Sequence, residues 1–199
     1  PGLRHTWCVN FGLWRADNKT TLLMDDHQRH AVMVGVRSDA KPAAEVTTGV
    51  ASYKEKMELQ DMRQLDIVPE SWWKGPTVTM LTLFPSLIVQ QQVNSLSTRH
   101  IQPRGPDAFD FVWTHFGFED DSPEMFERRL VQANLFGPAG YVSADDGEVI
   151  EFSQMGFADS ARESTCVEMG GRGTGPADTV ASETLIRGMY AYWRRVMQR

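Results

Sequence analysis

The chain is poor in cysteine: Cys8 and Cys166 are the only two in 199 residues. Two thiols that far apart make neither a disulfide framework nor a cysteine-rich metal site, and they fit a reducing cytoplasm, the expected location. No apolar run approaches the roughly 20 residues a membrane-crossing helix needs, and no stretch has the pattern of a secretory signal. Basic clusters are missing as well. With a net charge of −6 and no Lys/Arg-rich face, the chain offers nothing to a nucleic-acid backbone. Neither a GxSxG elbow nor a phosphate-cradling GxxxxGK[ST] or GxGxxG is present; "GGRGTG" at 170–175 lacks strand-to-helix context and reads as a loop.

What remains is an ordinary folding composition, 41% hydrophobic and 23% charged, in a chain sized for one domain with a sizeable core. Leu3, Trp7 and Phe11 fall at roughly helical spacing, as if a helix were ending there. "KTTLLM" and "RHAVMVGVR" flank the polar turn "DDHQ" and predict a hairpin. "SDAKPAAEVTTG" (38–49) reads as a surface excursion, and "SYKEKMELQDMRQLDIV" as an imperfect helix stopped by Pro69. Four strand patterns follow at 77–84, 87–95, 96–103 and 108–118, joined by links short enough to require an antiparallel meander. Ser122 and Pro123 open a helix that Gly137 closes. A last helix spans 182–197, with Leu185, Met189, Tyr192 and Trp193 as its buried stripe. Strands and helices in separate runs indicate an α+β fold, an antiparallel sheet with helices packed on one face.

The chemistry is harder to read. "FGPAGYVSADDGEVIEF" (136–152) sets Asp145 beside Asp146. Adjacent carboxylates repel, so the pair admits two readings: one caps a helix while the other meets water, or one holds a metal ion. Asp25, Asp26, His27 and His30 crowd a predicted hairpin tip, where polar groups face water. His100 and His115 lie on strands and read as hydrogen-bonded sheet residues. His5 stands alone beside apolar residues, where structural and ligand roles both remain open.

"HTWCVNFGLWRADN", "LDIVPESWWKGP", "LFPSLIVQQQVNSLSTRHIQPRG", "FDFVWTHFGFEDD" and "NLFGPAGYVSADDGEVIEFSQ" together resemble the C-terminal catalytic domain of the Rieske-type aromatic-ring-hydroxylating oxygenases, large (alpha) subunit. The branch it is most similar to acts on salicylate, anthranilate or halobenzoate-type acids. The resemblance covers nearly the whole chain, and "GPAG…DDGE" is its most specific motif. It implies a helix-grip (START-like) form of the α+β fold and a mononuclear Fe(II) held by two histidines and one carboxylate. His5 falls on the second histidine and Asp146 on the carboxylate; the first histidine would precede Pro1. Residues 1–199 are therefore expected to be a partial catalytic domain, without the Rieske domain and its [2Fe-2S] cluster. Facial ligation of this kind leaves open positions for oxygen beside the substrate.

The same resemblance places Phe136 and Val142 at the substrate cavity, Val142 being small for its place. It implies O2 and an aromatic substrate, carboxylated or hydroxylated, with NAD(P)H electrons arriving through a reductase and often a ferredoxin. Other alpha subunits are the implied partners, with a beta subunit left open. An acidic substrate needs a cation or hydrogen-bond donor, for which Asn10, Gln91, Arg99 and His100 are candidates. The activity the resemblance implies is that of an aromatic-ring-hydroxylating dioxygenase; monooxygenation or demethylation by the same site, and a metal-free helix-grip binding module, are the alternatives.

Overall fold

Six runs rich in β-branched and aromatic side chains form six strands: β1 Lys19–Met24, β2 Ala31–Val36, β3 Val78–Leu83, β4 Leu87–Gln92, β5 Ser95–Pro103 and β6 Phe109–Phe116. They lie in one antiparallel sheet in chain order, the expected meander. The computed structural model describes residues 19–27, 29–36, 61–64, 66–160, 172–177 and 183–198. The expectations for the first residues and for the 38–49 excursion lie outside them. So does most of the helix expected at 52–68, of which a 3-10 turn at Met62–Gln64 is described.

Register decides which side chains share a face, because directly paired residues point the same way and alternate residues along a strand do too. Ala31, Thr82, Ile88, Arg99 and Trp113 form one row across the sheet; Met33, Met80, Gln90, Ser97 and His115 form the next. Gln92 and Ser95 continue that face into the β4–β5 turn. Helices cover this side. The opposite face carries Leu81, Val89, Leu96, Val112 and Phe116, of which Val89, Val112 and Phe116 are exposed.

Helix α1, Pro123–Phe136, forms as its caps dictate. Ser122 Oγ accepts from the Met125 N–H at 3.2 Å, and the Gly137 N–H donates back to Ala133 at 2.6 Å. Its inward face is polar. Arg129 and Gln132 are buried there beside Leu135 and Phe136, and they clamp the β4–β5 turn. Arg129 donates to Glu70 Oε2 at 2.5 Å, Asp121 Oδ2 at 2.7 Å and the Asn94 carbonyl at 2.5 Å. Gln132 Oε1 accepts from the Asn94 N–H at 2.9 Å, while the Asn94 side chain bonds both polar groups of the Val68 backbone. Val93, in the same turn, sits at φ 51°, a region a β-branched residue rarely enters. Its side chain anchors a small core with Leu135 and Phe136.

Helix α2 runs Tyr141–Asp159. A helix capped by one of the two aspartates would start at or after Asp145; the helix instead begins directly after Gly140, because no residue from 141 onward breaks it. Gly147 costs only about 1 kcal/mol relative to alanine. Asp145 and Asp146 both lie inside this helix, and neither is its cap.

Helix α3, Thr184–Met197, packs on β1 and β2. Its buried residues are Thr184 and Gly188, and Trp193 is 46% exposed rather than part of the buried stripe. A Cβ at Gly188 would overlap Met24 Sδ. The missing side chain lets the helix approach along the 184–188 line, which turns Trp193 outward. Tyr192 still reaches the sheet, its ring 5.0 Å from that of Phe84.

Candidate active site

Asp146 stands on α2, exposed, with Val142 one turn earlier packed against the Val93–Leu135–Phe136 core. The geometry follows from "FGPAG". Gly137 closes α1, the Gly140 N–H bonds the Gly137 carbonyl at 2.9 Å, and α2 starts at once. A Cβ on Gly140 would overlap the carbonyl oxygen of Leu135, so only glycine fits this close approach. The motif thereby ties the origin of α2, and Asp146 with it, to the end of α1.

Across from α2, the helix-covered face of the sheet is unexpectedly polar. Gln90, Ser97 and Arg99 are 4%, 1% and 8% exposed. Arg99 crosses above the Trp113 ring, its guanidinium carbon 4.0 Å from the centroid, and its Nη2 donates to Gln92 Oε1 at 3.3 Å. Burial pushes its pKa down to about 10, with the negative charge of Asp146 acting in the opposite direction. It remains a cation at neutral pH. The His115 imidazole, one row along, is lowered by loss of solvation first and by the Arg99 charge second.

Among the described residues, four buried polar side-chain atoms make no hydrogen bond, and three of them belong to this face: Gln90 Oε1, Ser97 Oγ and Arg99 Nε. Leaving such groups unpaired costs about 1–3 kcal/mol each, so their clustering singles out this part of the face as the candidate site.

The four candidates for an acid's partner thus separate. Arg99 is buried and has a free N–H. His100 is exposed on the opposite face, with Gln102 Nε2 at 3.2 Å from its Nδ1. Gln91 also points to that face and donates to the Pro76 carbonyl at 3.5 Å. Asn10 lies outside the described residues, as does His5. Phe136 is 3% exposed, inside the core cluster.

Gln90, Gln92, Ser97 and Trp113 had not been singled out from the sequence. A signal existed: "VQQQV" places glutamines, weak strand formers, where a buried sheet should have aliphatic residues, and "SLSTR" puts small polar residues at alternating positions of the next strand.

Asp146 supplies one hard oxygen donor, and no hydrogen bond to its carboxylate is found among the described residues, so it fits one position around a ferrous ion. The described residues contain no group of three His, Cys, Asp or Glu able to complete a site. At the hairpin, His30 Nδ1 accepts from the Phe84 N–H at 3.2 Å and Asp25 accepts from the His30 N–H at 2.7 Å, so those groups hold the turn. A groove of about 500 Å³ opens on the opposite face, with Trp72, Leu81, Val89, Leu96 and Phe116 among its lining. Its lining is largely apolar but also reaches Gln90, Gln91 and Ser97. No helix among the described residues is long and apolar enough to cross a membrane.

Residues 4–199 match the family model described as "Ring hydroxylating alpha subunit (catalytic domain)". The chain is 63% identical over 197 residues to the large oxygenase component of salicylate 5-hydroxylase from Ralstonia sp, covering 99% of this chain and 47% of that protein. It is 34% identical to the anthranilate 1,2-dioxygenase large subunit of Burkholderia cepacia, covering 97% of this chain and 46% of that one. Its fold is similar to naphthalene 1,2-dioxygenase from Rhodococcus sp. solved with indole bound, with a TM-score of 0.65 at 16% identity, over 98% of this chain and 49% of that chain. The chain spans about half the length of the curated relatives it matches.

Proposed function

The chain belongs to the ring-hydroxylating alpha-subunit family, matching its catalytic domain, and on that premise we propose that it forms the hydroxylating portion of an enzyme that puts O2-derived oxygen into an aromatic acid. The observation that carries the reading is Arg99: a buried cation with a free Nε–H, facing the side of the helix that bears Asp146. A cation so placed holds a carboxylate strongly, because a charge-assisted hydrogen bond out of water is worth about 1.5–3 kcal/mol. Trp113 holds the guanidinium over its ring, 4.0 Å from carbon to centroid.

Asp146 and His5 are the chain's proposed iron ligands. Ferrous iron, when bound, supplies the activation of O2. The protein's part is to hold the ring in place, to keep water from it and to fix its carboxylate on Arg99. Electrons would come from NAD(P)H through a reductase, often by way of a ferredoxin, and a Rieske [2Fe-2S] cluster. Assembly with further alpha subunits belongs to the same proposal, as does the assignment of residues 1–199 as part of a longer subunit. Phe136 and Val142 are proposed to border the substrate from the helix side, Val142 packing against the small core to which Phe136 belongs.

A second reading concerns the number of oxygen atoms transferred. The relative at 63% identity is named a hydroxylase, whereas those at 34% are named dioxygenases, which favours insertion of a single atom. Reaction of the intact enzyme under 18O2, followed by mass spectrometry of the product, tests both readings. One labelled atom is expected in a hydroxylated aromatic acid. Failure of every aromatic acid to react with the reductase-coupled enzyme overturns the proposal.

A further inference from the structure

Helices α2 and α3 both carry exposed apolar stripes, and their charges are opposite. On α3, Ile186, Tyr190, Trp193 and Met197 are exposed, and their spacing of four, three and four residues sets them in one line along the helix. Arg187 and Arg194 follow one edge of that line, and α3 contains no acid. The close approach at Gly188 that turns Trp193 outward is what leaves this stripe open. On α2, Phe152 and Met155 are exposed among Glu148, Glu151 and Asp159, and that helix contains no base. At about 3.6 residues per turn these five side chains share one side of α2, and Asp146 lies on the other.

We propose that α2 of one copy of this subunit docks its Phe152–Met155 side onto the Ile186–Tyr190–Trp193–Met197 stripe of α3 in a second copy. This rests on the reading that the subunit assembles with others of its kind, and it names the surface. Within one chain the two stripes belong to opposite ends of the sheet: α3 packs on β1 and β2, whereas α2 packs on α1, which packs on β5. About 14 Å of sheet separates β2 from β5, so each stripe is left to another molecule. An anionic surface such as a lipid bilayer would suit α3 but repel the acids of α2, and a second copy satisfies both. Tyrosine and tryptophan at the centre with charges at the edge is the make-up of a protein interface. The opposite charges align the helices and admit one pairing, α2 with α3. The two patches differ, so the contact joins unlike surfaces.

The test is the light-scattering mass of the intact subunit across a dilution series. Phe152→Lys and Trp193→Glu each set a like charge against the facing helix. Each alone is expected to dissociate at a concentration about tenfold or more above that of the unmodified protein, with an unchanged melting temperature reporting an intact fold. Mixed in equal amounts, the two should pair one to one and go no further. The mixture holds a single unaltered contact, α2 of the Trp193→Glu chain on α3 of the Phe152→Lys chain. Glu151→Arg and Arg194→Glu, which change only exposed side chains, should each weaken assembly and together restore it. Assembly undiminished in both single variants, or a mixture that stays as separate subunits, overturns the surface. The parent reading fails differently: the unmodified subunit would then run as a monomer at every concentration.

Discussion

The guanidinium of Arg99 and the indole of Trp113 face each other across the β5–β6 ladder, paired in register and 4.0 Å apart from carbon to centroid. A buried cation whose company is a ring, one long hydrogen bond and the charge of the exposed Asp146 is poorly compensated. Replacing it with an apolar side chain of similar length removes that burden, so Arg99→Met is expected to melt no lower than the unmodified protein while binding aromatic acids at least about tenfold more weakly. Calorimetric melting and ligand titration on the same preparation check this. A large fall in melting temperature would recast Arg99 as a structural residue.

Asp146 is exposed on α2, and no packing depends on it. Asp146→Ala should therefore fold normally and lose iron in the intact subunit, as measured by metal analysis after purification and dialysis. Retention of stoichiometric iron would remove Asp146 from the ligand set.

Glycines 140 and 147 make opposite predictions. A Cβ at Gly140 would collide with the Leu135 carbonyl, whereas one at Gly147 meets nothing within 4 Å. Gly140→Ala should cost about 1–3 kcal/mol and, by moving the start of α2, weaken iron retention. Gly147→Ala should gain about 0.5–1 kcal/mol. Urea denaturation of both variants decides it, and equal effects would mean that the α1–α2 turn is not under the constraint described.

The Arg129 cluster predicts a dependence on pH. Hydrogen bonds from Arg129 hold the Asp121 carboxyl below its ordinary range; at Glu70 burial pushes upward, but bonds from Arg129, Asn94 and Trp72 outweigh it. Both groups bind protons less readily folded than unfolded. Their stabilisation is complete above the ordinary carboxylate range near about pH 4 and is lost as pH falls through the lower folded values. Arg129→Met, which strands two carboxylates, should cost about 3 kcal/mol or more at neutral pH. The deficit should narrow on acidification, measured by denaturant unfolding at pH 7 and pH 4. A deficit independent of pH would show that the charges are not what the arginine contributes.

Much of the fold was legible because its signals are local. The Ser122–Pro123 start and Gly137 stop of α1 are backbone hydrogen-bonding requirements met by neighbouring residues, and within β1–β2 and within β3–β6 the links are so short that only antiparallel neighbours are open to them, whereas the pairing of β2 with β3 spans residues 37–77 and was decided by the sheet. Local signals misled at α3, where the stripe drawn through Trp193 ignored what an absent side chain at Gly188 permits. They also understated α2, whose start depends on how Gly140 approaches the end of α1. The polar interior of α1 was hidden for a related reason: Arg129 and Gln132 are buried only because Glu70, Asp121 and the Val93–Asn94 turn come to meet them from elsewhere in the chain.

The sequence by itself determined the α+β meander, the ends of α1 and, through "GPAG…DDGE", the resemblance that put Asp146 forward. It could not choose among Asn10, Gln91, Arg99 and His100, because neighbours along a strand alternate between faces and the choice of face is made by pairing across the sheet. Register did that: it set Arg99, Ser97, Gln90 and Gln92 together beneath the helices and sent Gln91 and His100 to the other side. Which amide atom remains free was fixed later still, by an arginine that can only donate meeting one glutamine oxygen that another glutamine also reaches.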